Sequence, residues 1–388
     1  MSDAHRIGFL SGDHLDFGGV ETHLLSIFRL LQKTGFESIL IAPASDKFTC
    51  LAKSLGVRCV FWDPKNMGCM EKINSLRIIF SEHQLSLLHI HSPGVAIEGR
   101  IAAYLSGIPA IMTMHLQPAD YFSKSTLKQK TKLMVYSFWD CVLNYLITEK
   151  IIYVSDRAYA RSMTWKYSPK KRSVVIPNGV ELPLGAIAKR NIRNLLGTPQ
   201  ERIVLCFVGR LEPQKGLDIL INALRLIPQP VLDTLELWVV GTGSVKHNIE
   251  LLSQSLKLQN HVRFLGYQEN TKIYLAESDI FMLPSNYEAL SISLLDAMAH
   301  GLPCIVTDTG ENSRLITHGV DGFVVPIGNA RALSSLLAVL ATDSAMRERM
   351  GRSARAKADK FPESEMVSKI KSIYWAGITR MDEVDKSL

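Results

Sequence analysis

The sequence predicts an α/β protein built as two doubly wound domains, and three observations carry that prediction. Short apolar runs rich in β-branched residues alternate with helix-like segments along the whole chain. The runs fall into two blocks, separated at 177–200 by a stretch with Pro, Gly and weak periodicity that reads as a linker. The chain has 388 residues, enough for two ordinary domains with a core each. Runs that are apolar on both faces and joined through helices belong to parallel sheets in α/β layers.

In chain order, the first block has strand-like runs at 7–10, 39–42, 59–62, 87–91, 110–114, 151–155 and 174–177. The second has them at 203–208, 235–240, 262–265, 280–283, 304–307 and 323–325. Helical patterns fill the gaps, and no short-period repeat or low-complexity tract interrupts them. After Pro362 comes one more helix-like segment, 365–375, with Met366, Val367, Ile370, Ile373 and Tyr374 at helical spacing.

Composition excludes several classes. Hydrophobic content of 47% with 21% charged residues is that of a soluble globular protein rather than a disordered or membrane-embedded one. No run approaches the ~20 apolar residues of a membrane span, and the polar start leading into the run at 7–10 has no signal-peptide apolar region. The six cysteines are scattered, with no Cys-x-x-Cys pair, so reduced thiols in a cytosolic setting are expected, not a disulfide framework or a zinc site. The net charge of +7 is uneven: residues 121–172 hold eleven Lys/Arg against three Asp/Glu. One patch therefore carries the excess, and an anionic membrane, nucleic acid or a phosphorylated substrate could use it.

Four constellations carry chemistry. Gly18-Gly19-Val20-Glu21 stands between the first strand and a helix-like run; paired glycines there let backbone amides approach a phosphate, although a plain tight turn reads the same way. Gly209-Arg210-Leu211-Glu212-Pro213-Gln214-Lys215-Gly216 follows the strand at 203–208. Strand carboxyl ends are where α/β folds place ligands. Arg210 offers a planar fork for phosphate oxygens and Lys215 a point charge; a solvated basic loop is the plain alternative. Glu288 precedes a helix that opens near Ser291 and stops at Gly301 with Pro303 beyond. Glu288 and Asp296, eight apart, fall near one face if the helix reaches back that far. A carboxylate can accept two sugar hydroxyls, and the helix-start amides about Leu290 and Ser291 can hold an anion; an amphipathic core helix is the alternative. His115 ends the strand at 110–114 and reads by itself as a core or capping histidine. His89 and His91 are expected on opposite faces of their strand, a poor joint metal site for that reason.

These segments resemble retaining glycosyltransferases of family 4. Glu288 to Ala299 resembles the acidic signature Glu-Gly-x-x-x-x-x-x-Glu followed by Ala-Met-Ala, with Ala289 for Gly and Asp296 for the second Glu. The loop 209–216 matches Gly-Arg-Leu-x-x-x-Lys-Gly without departure. Gly18 and Gly19 match the Gly-Gly-x-Glu loop, which approaches the donor diphosphate and the acceptor. Val175 to Val180 resembles the inter-domain hinge, and Gly241-Thr242-Gly243 the turn after the next strand. Asp308-Thr309-Gly310 resembles a Thr-Asp-x-Gly-Gly loop near the nucleotide, with Glu311 for the second Gly, Ser313 for Pro and Arg314 for Glu. The matches run in order from Gly18 to Pro326.

The resemblance implies the GT-B architecture, two Rossmann-like domains facing a cleft. Residues 1–180 would bind the acceptor, with the helix at 364–388 crossing back to them, and 181–363 the nucleotide sugar. It implies a nucleotide-diphospho-sugar donor, with UDP-sugar expected, and transfer with retention by front-face attack. Arg210 and Lys215 would stabilise the leaving diphosphate, Glu288 would hold sugar hydroxyls, Asp296 the ribose, and His115 would face the sugar and the reacting centre. Gly18, Gly19, Gly209, Gly241, Gly243, Leu290 and Ser291 would line the nucleotide sugar. With no Asp-x-Asp pair at a strand end, no metal is expected. The acceptor would be a carbohydrate or a lipid-linked glycan of bacterial envelope assembly, reached through peripheral contact with the anionic inner face of the membrane, and no nucleic acid is expected. The lysines 124, 128, 130 and 132, before an aromatic and aliphatic stretch, fit that contact; a helix with Tyr136, Trp139, Leu143 and Ile147 on its core face fits the same residues. A non-catalytic GT-B scaffold or binding subunit, and a GT-B epimerase or phosphorylase, are the competing functions.

Overall fold

The computed structural model describes residues 4–12, 18–32, 34–44, 46–115, 127–183 and 191–385. The chain forms two compact units, Met1–Asn178 with Glu363–Leu388, and Gly179–Pro362. Each is a parallel sheet covered by helices.

The first unit has β1 (His5–Leu10), β2 (Phe36–Ala42), β3 (Arg58–Phe61), β4 (Leu87–Ile90), β5 (Ala110–Met114), β6 (Thr148–Tyr153) and β7 (Ser173–Val175). Their order among the described residues is β3-β2-β1-β4-β5-β6-β7. The second unit has β8 (Ile203–Val208), β9 (Leu235–Val240), β10 (Val262–Gly266), β11 (Ile280–Leu283), β12 (Cys304–Thr307) and β13 (Gly322–Val325), in the order β10-β9-β8-β11-β12-β13. Every predicted strand is present, with shifts of a few residues at the ends. In both sheets the order reverses beside the first strand, at β1/β4 and β8/β11. A crevice outside the strand carboxyl ends at such a reversal is the ligand position in open α/β sheets.

Side chains alternate across each sheet and so feed two cores. Ile7 and Phe9 pack with Leu24, Ile27 and Phe28 on one side of β1. Leu10 packs with Ile41, Leu88 and Ile90 on the other. The helix Glu363–Asp385 joins the first of these cores through Met366, Val367, Ile370 and Tyr374, and Arg29 Nη2 donates to Glu363 Oε2 across 2.6 Å.

Part of the predicted linker is folded. Residues Ile192–Leu196 form a short helix docked on the second unit. The Glu277 carboxylate accepts from Ile192 N at 2.8 Å and Arg193 N at 3.0 Å, and Arg193 Nη2 donates to Asp279 Oδ2 at 2.6 Å. A carboxylate at first-turn amides satisfies donors that no intrahelical carbonyl reaches. Neighbour periodicity does not show this, because the partner lies over eighty residues away.

The helix Leu127–Leu146 is polar inward and apolar outward. Asp140 and Asn144 are fully buried, where the Arg100 guanidinium donates to Asp140 Oδ1 and, at 2.8 Å, to Asn144 Oδ1. Tyr167 donates to Asp140 Oδ2. A buried ion pair repays its desolvation only with such added hydrogen bonds. On the opposite face Met134, Val135, Phe138, Trp139 and Leu146 are exposed, Phe138 by 62% and Trp139 by 53%. Of the helical stripe expected in the core, Leu143 is buried and Trp139 is not. Lys132 is exposed and Lys130 half-buried; Lys124 and the side chain of Lys128 lie outside the described residues. All six cysteines are free thiols. No helix among the described residues is long and apolar enough to cross a membrane.

Candidate active site

The loops after β8, β9, β11 and β12 are laced together by backbone. Gly209 N donates to Val240 O at 3.1 Å, and Leu211 N to Thr242 O at 2.8 Å. Asn286 N donates to Gln214 O at 2.7 Å, and Glu311 N to Ala289 O at 2.9 Å. Two glycines are required by this lacing. A Cβ on Gly241, at φ +142°, would lie 1.9 Å from Gly209 O; one on Gly310, at φ +54°, would lie 2.2 Å from Glu288 O. No β-carbon fits at those distances, and L-residues rarely adopt those angles. Ala289, by contrast, has no positive φ, so alanine stands there without backbone strain.

The lacing brings Lys215 to Glu288. Lys215 Nζ donates to Glu288 Oε1 at 2.6 Å, and Ser285 Oγ donates to the same oxygen at 2.8 Å. Both side chains are nearly buried. No described residue is shown bonded to Oε2. Arg210 is exposed at the loop's start. Glu212 accepts from Ser244 N and Oγ, tying this loop to the Gly241–Gly243 turn. Burial raises the Glu212 pKa, but the two Ser244 bonds and the Arg210 charge outweigh it, and the net shift is downward.

The helix after Glu288 is Ile292–Ala299, capped by Ser291 Oγ, which accepts from Leu294 N. It therefore does not reach back to Glu288, and the shared helical face expected for Glu288 and Asp296 is absent: the acid precedes the helix, in an irregular segment. Asp296 is buried on the helix's second turn, and Leu290 and Ser291 lie at its start. The two departures Glu311 and Arg314 face each other, Arg314 Nη1 lying 3.5 Å from Glu311 Oε2. The acid that replaces glycine is thus met by the base that replaces an acid.

In the first unit Gly18 and Gly19 open the helix Gly19–Leu31. Gly18 N donates to Glu21 Oε2 at 2.8 Å, so the motif's own acid caps its helix. A Cβ on Gly19 would meet open space, which a ligand's approach would use. His115 is half-buried beyond the end of β5.

The histidines correct the sequence reading. Residues two apart on a strand share a face, and the His89 and His91 rings lie 4.0 Å apart, not on opposite sides. His89 is a buried structural link: Nδ1 is 2.6 Å from Tyr374 Oη and Nε2 is 2.7 Å from Thr113 Oγ1. His91 turns instead toward His115, with Nδ1 and Nε2 3.3 Å apart. His23, which no motif singled out, completes the group. Its ring lies 5.0 Å from that of His115 and 5.6 Å from that of His91. Its Nδ1 donates to Asn178 Oδ1 at 3.0 Å. Burial lowers the His23 pKa to about 4, against the Asn178 bond. Burial and then the neighbouring imidazoles hold His91 and His115 well below the usual value. His23 lies one turn beyond the Gly-Gly loop, and nothing in the local sequence ties it to His91 or His115.

Two family models match the chain. "Glycosyltransferase Family 4" covers residues 17–183, and "Glycosyl transferases group 1" covers 188–357. Among curated proteins, a UDP-Gal:alpha-D-GlcNAc-diphosphoundecaprenol alpha-1,3-galactosyltransferase of Escherichia coli is 28% identical over 92% of this chain and 93% of its own. A phosphatidyl-myo-inositol mannosyltransferase of Mycobacterium leprae is 27% identical over 95% and 96%. Among solved structures, Anabaena Alr3699/HepE in complex with UDP and glucose superposes with a TM-score of 0.82 at 20% identity, over 96% of this chain and all of that one. WaaG, a glycosyltransferase involved in lipopolysaccharide biosynthesis, superposes with a TM-score of 0.77 at 18% identity, over 95% and 99%. These structures share the GT-B fold with the chain.

Proposed function

We propose a donor, a chemistry and an acceptor class for this chain, which belongs to glycosyltransferase family 4 and is a glycosyltransferase of the kind that builds glycolipids and polysaccharides. The donor is a nucleotide-diphospho-sugar, with UDP as the nucleotide. The observation that carries this reading is the contact between Lys215 and Glu288, held by four laced loops at strand carboxyl ends. It sets a cation for a diphosphate beside a carboxylate for sugar hydroxyls, within one short salt bridge.

Transfer is retaining and needs no metal in this reading. The acceptor oxygen bonds to the anomeric carbon as the bond from that carbon to the diphosphate oxygen breaks, and the leaving phosphate oxygen takes the acceptor's proton. Arg210 and Lys215 stabilise the charge that develops on the diphosphate, the role that donors aimed at a leaving anion serve in other enzymes. Leu290 and Ser291 offer helix-start amides, Gly209, Gly241 and Gly243 keep the nucleotide's path open, and Asp296 takes the ribose. The first unit takes the acceptor, with Gly18 and Gly19 at its loop and His115 at the reacting centre.

The acceptor is lipid-linked, and the protein meets an anionic membrane surface at the cytoplasmic leaflet. Two observations support this. The curated relatives act, by their names, on a diphosphoundecaprenol and a phosphatidyl-inositol acceptor. The helix Leu127–Leu146 turns its apolar face to solvent within the basic region of the chain, which suits an interfacial helix.

A panel of nucleotide sugars offered to the purified protein, with release of nucleoside diphosphate scored with and without chelator, tests the donor and the chemistry together. Turnover of a UDP-sugar that survives chelation is expected. Activity lost in chelator and restored by manganese or magnesium would overturn metal independence, and no turnover of any nucleotide sugar would favour a non-catalytic subunit.

A further inference from the structure

The three histidines His23, His91 and His115 form the one cluster of metal-ligating side chains found among the described residues. Each offers a ring nitrogen, and the three lie within 4.8 Å of one another. An ion 2.0–2.1 Å from two imidazoles at a tetrahedral angle sets their nitrogens about 3.3–3.4 Å apart. His91 Nδ1 and His115 Nε2 already stand 3.3 Å apart. The His23 ring nitrogen lies within 4.8 Å of both.

Two further features point to a ligand. His23 Nε2 and His91 Nε2 are buried and have no hydrogen-bond partner, although buried polar atoms are nearly always satisfied. An ion bound at His23 Nε2 would remove that atom's cost; His91 faces His115 through Nδ1, so its own Nε2 would not be the ligand atom. His23 is also oriented as metal-bound histidines are: its Nδ1–H donates to Asn178 Oδ1, which leaves Nε2 as the lone-pair nitrogen. The group is drawn from four separate places in the first unit: the helix Gly19–Leu31, the ends of β4 and β5, and the segment after β7.

We propose that His23, His91 and His115 bind a late first-row divalent ion, zinc foremost, with Asn178 as the positioning residue. Three neutral imidazoles and no carboxylate select zinc, copper or nickel over magnesium or calcium. The donor set leaves a fourth position for water. Occupation holds the His115 ring on the ion, so the metal inhibits sugar transfer rather than driving it. The inhibition rests on the catalytic reading of His115; the binding does not.

Cobalt(II) and then zinc titrated into the full-length protein, purified without a histidine tag, test the site. About one cobalt per chain is expected, with visible d–d absorption that zinc abolishes. His23→Gln and His91→Gln should lose the signal, and Asn178→Ala should weaken binding ~10–100-fold, as loss of an orienting partner does. Thermal melts check that the variants fold; if either histidine variant does not, the wild-type titration and Asn178→Ala still decide. A wild type that takes up no cobalt or zinc, or cobalt bound equally by His23→Gln, would overturn the site and leave a water-filled cluster. In the activity arm, zinc should inhibit transfer in the wild type and chelator restore it. If cobalt binds and zinc leaves transfer unchanged, the inhibitory role is overturned while the site stands.

Discussion

Lys215 Nζ donates to Glu288 Oε1 at 2.6 Å, across 73 residues of sequence. The two residues come from different motifs, after β8 and after β11, which are neighbouring strands in the sheet. Each neutralises the other's charge, so neither is nearly buried alone. A diphosphate would draw the ammonium, and sugar hydroxyls would take the carboxylate.

Replacing the cations tests that exchange. Lys215→Ala and Arg210→Ala should each lower kcat by ~10²–10³, the usual loss for one donor aimed at a developing anion. Their circular dichroism should match the wild type. Near-normal kcat in both variants would remove the diphosphate role.

The two acids should separate in their effects. Glu288→Gln should impair sugar transfer while nucleoside diphosphate binding holds or tightens, because Lys215 loses its internal partner. Asp296→Ala should weaken nucleoside diphosphate binding, and Asp296→Glu should be tolerated. Calorimetric titration of the two variants with UDP checks this, and an equal loss of affinity in both would show the assignment to be wrong.

The buried Arg100–Asp140 pair makes a stability prediction. Both side chains are fully buried, so Asp140→Leu should strand the guanidinium and cost about 3–5 kcal/mol. Chemical denaturation measures it. The double variant Arg100→Met with Asp140→Leu should recover part of the loss, since no charge is then left unpaired; an additive loss would place the stability in Asn144 and Tyr167 instead.

The exposed face of the helix Leu127–Leu146 predicts vesicle binding. The protein should co-sediment with anionic vesicles at low salt and less at high salt, each lysine near the surface contributing about 1 kcal/mol. Phe138→Ser with Trp139→Ser should weaken it without unfolding the protein, because neither side chain is buried. Binding unaltered in that variant, and in one with lysines 124, 128, 130 and 132 changed to Glu, would make the patch a solvated face.

What the sequence determined by itself is the α/β order. A strand covered on both faces must be apolar along its length, so 203–208, 235–240 and 280–283 announce themselves locally, and Gly209 to Gly216 carries its chemistry in one contiguous loop. Tertiary structure alone decided which distant groups meet. Glu277 capping the helix at Ile192, Arg314 answering Glu311, and Asp140 turning inward while Trp139 faces out all depend on partners outside the local period. The histidines show both limits. His89 and His91 share a face by strand geometry, which the sequence contained and its reading reversed. His23 joins His91 and His115 only because a helix after β1 packs beside the ends of β4 and β5, and no spacing along the chain encodes that contact.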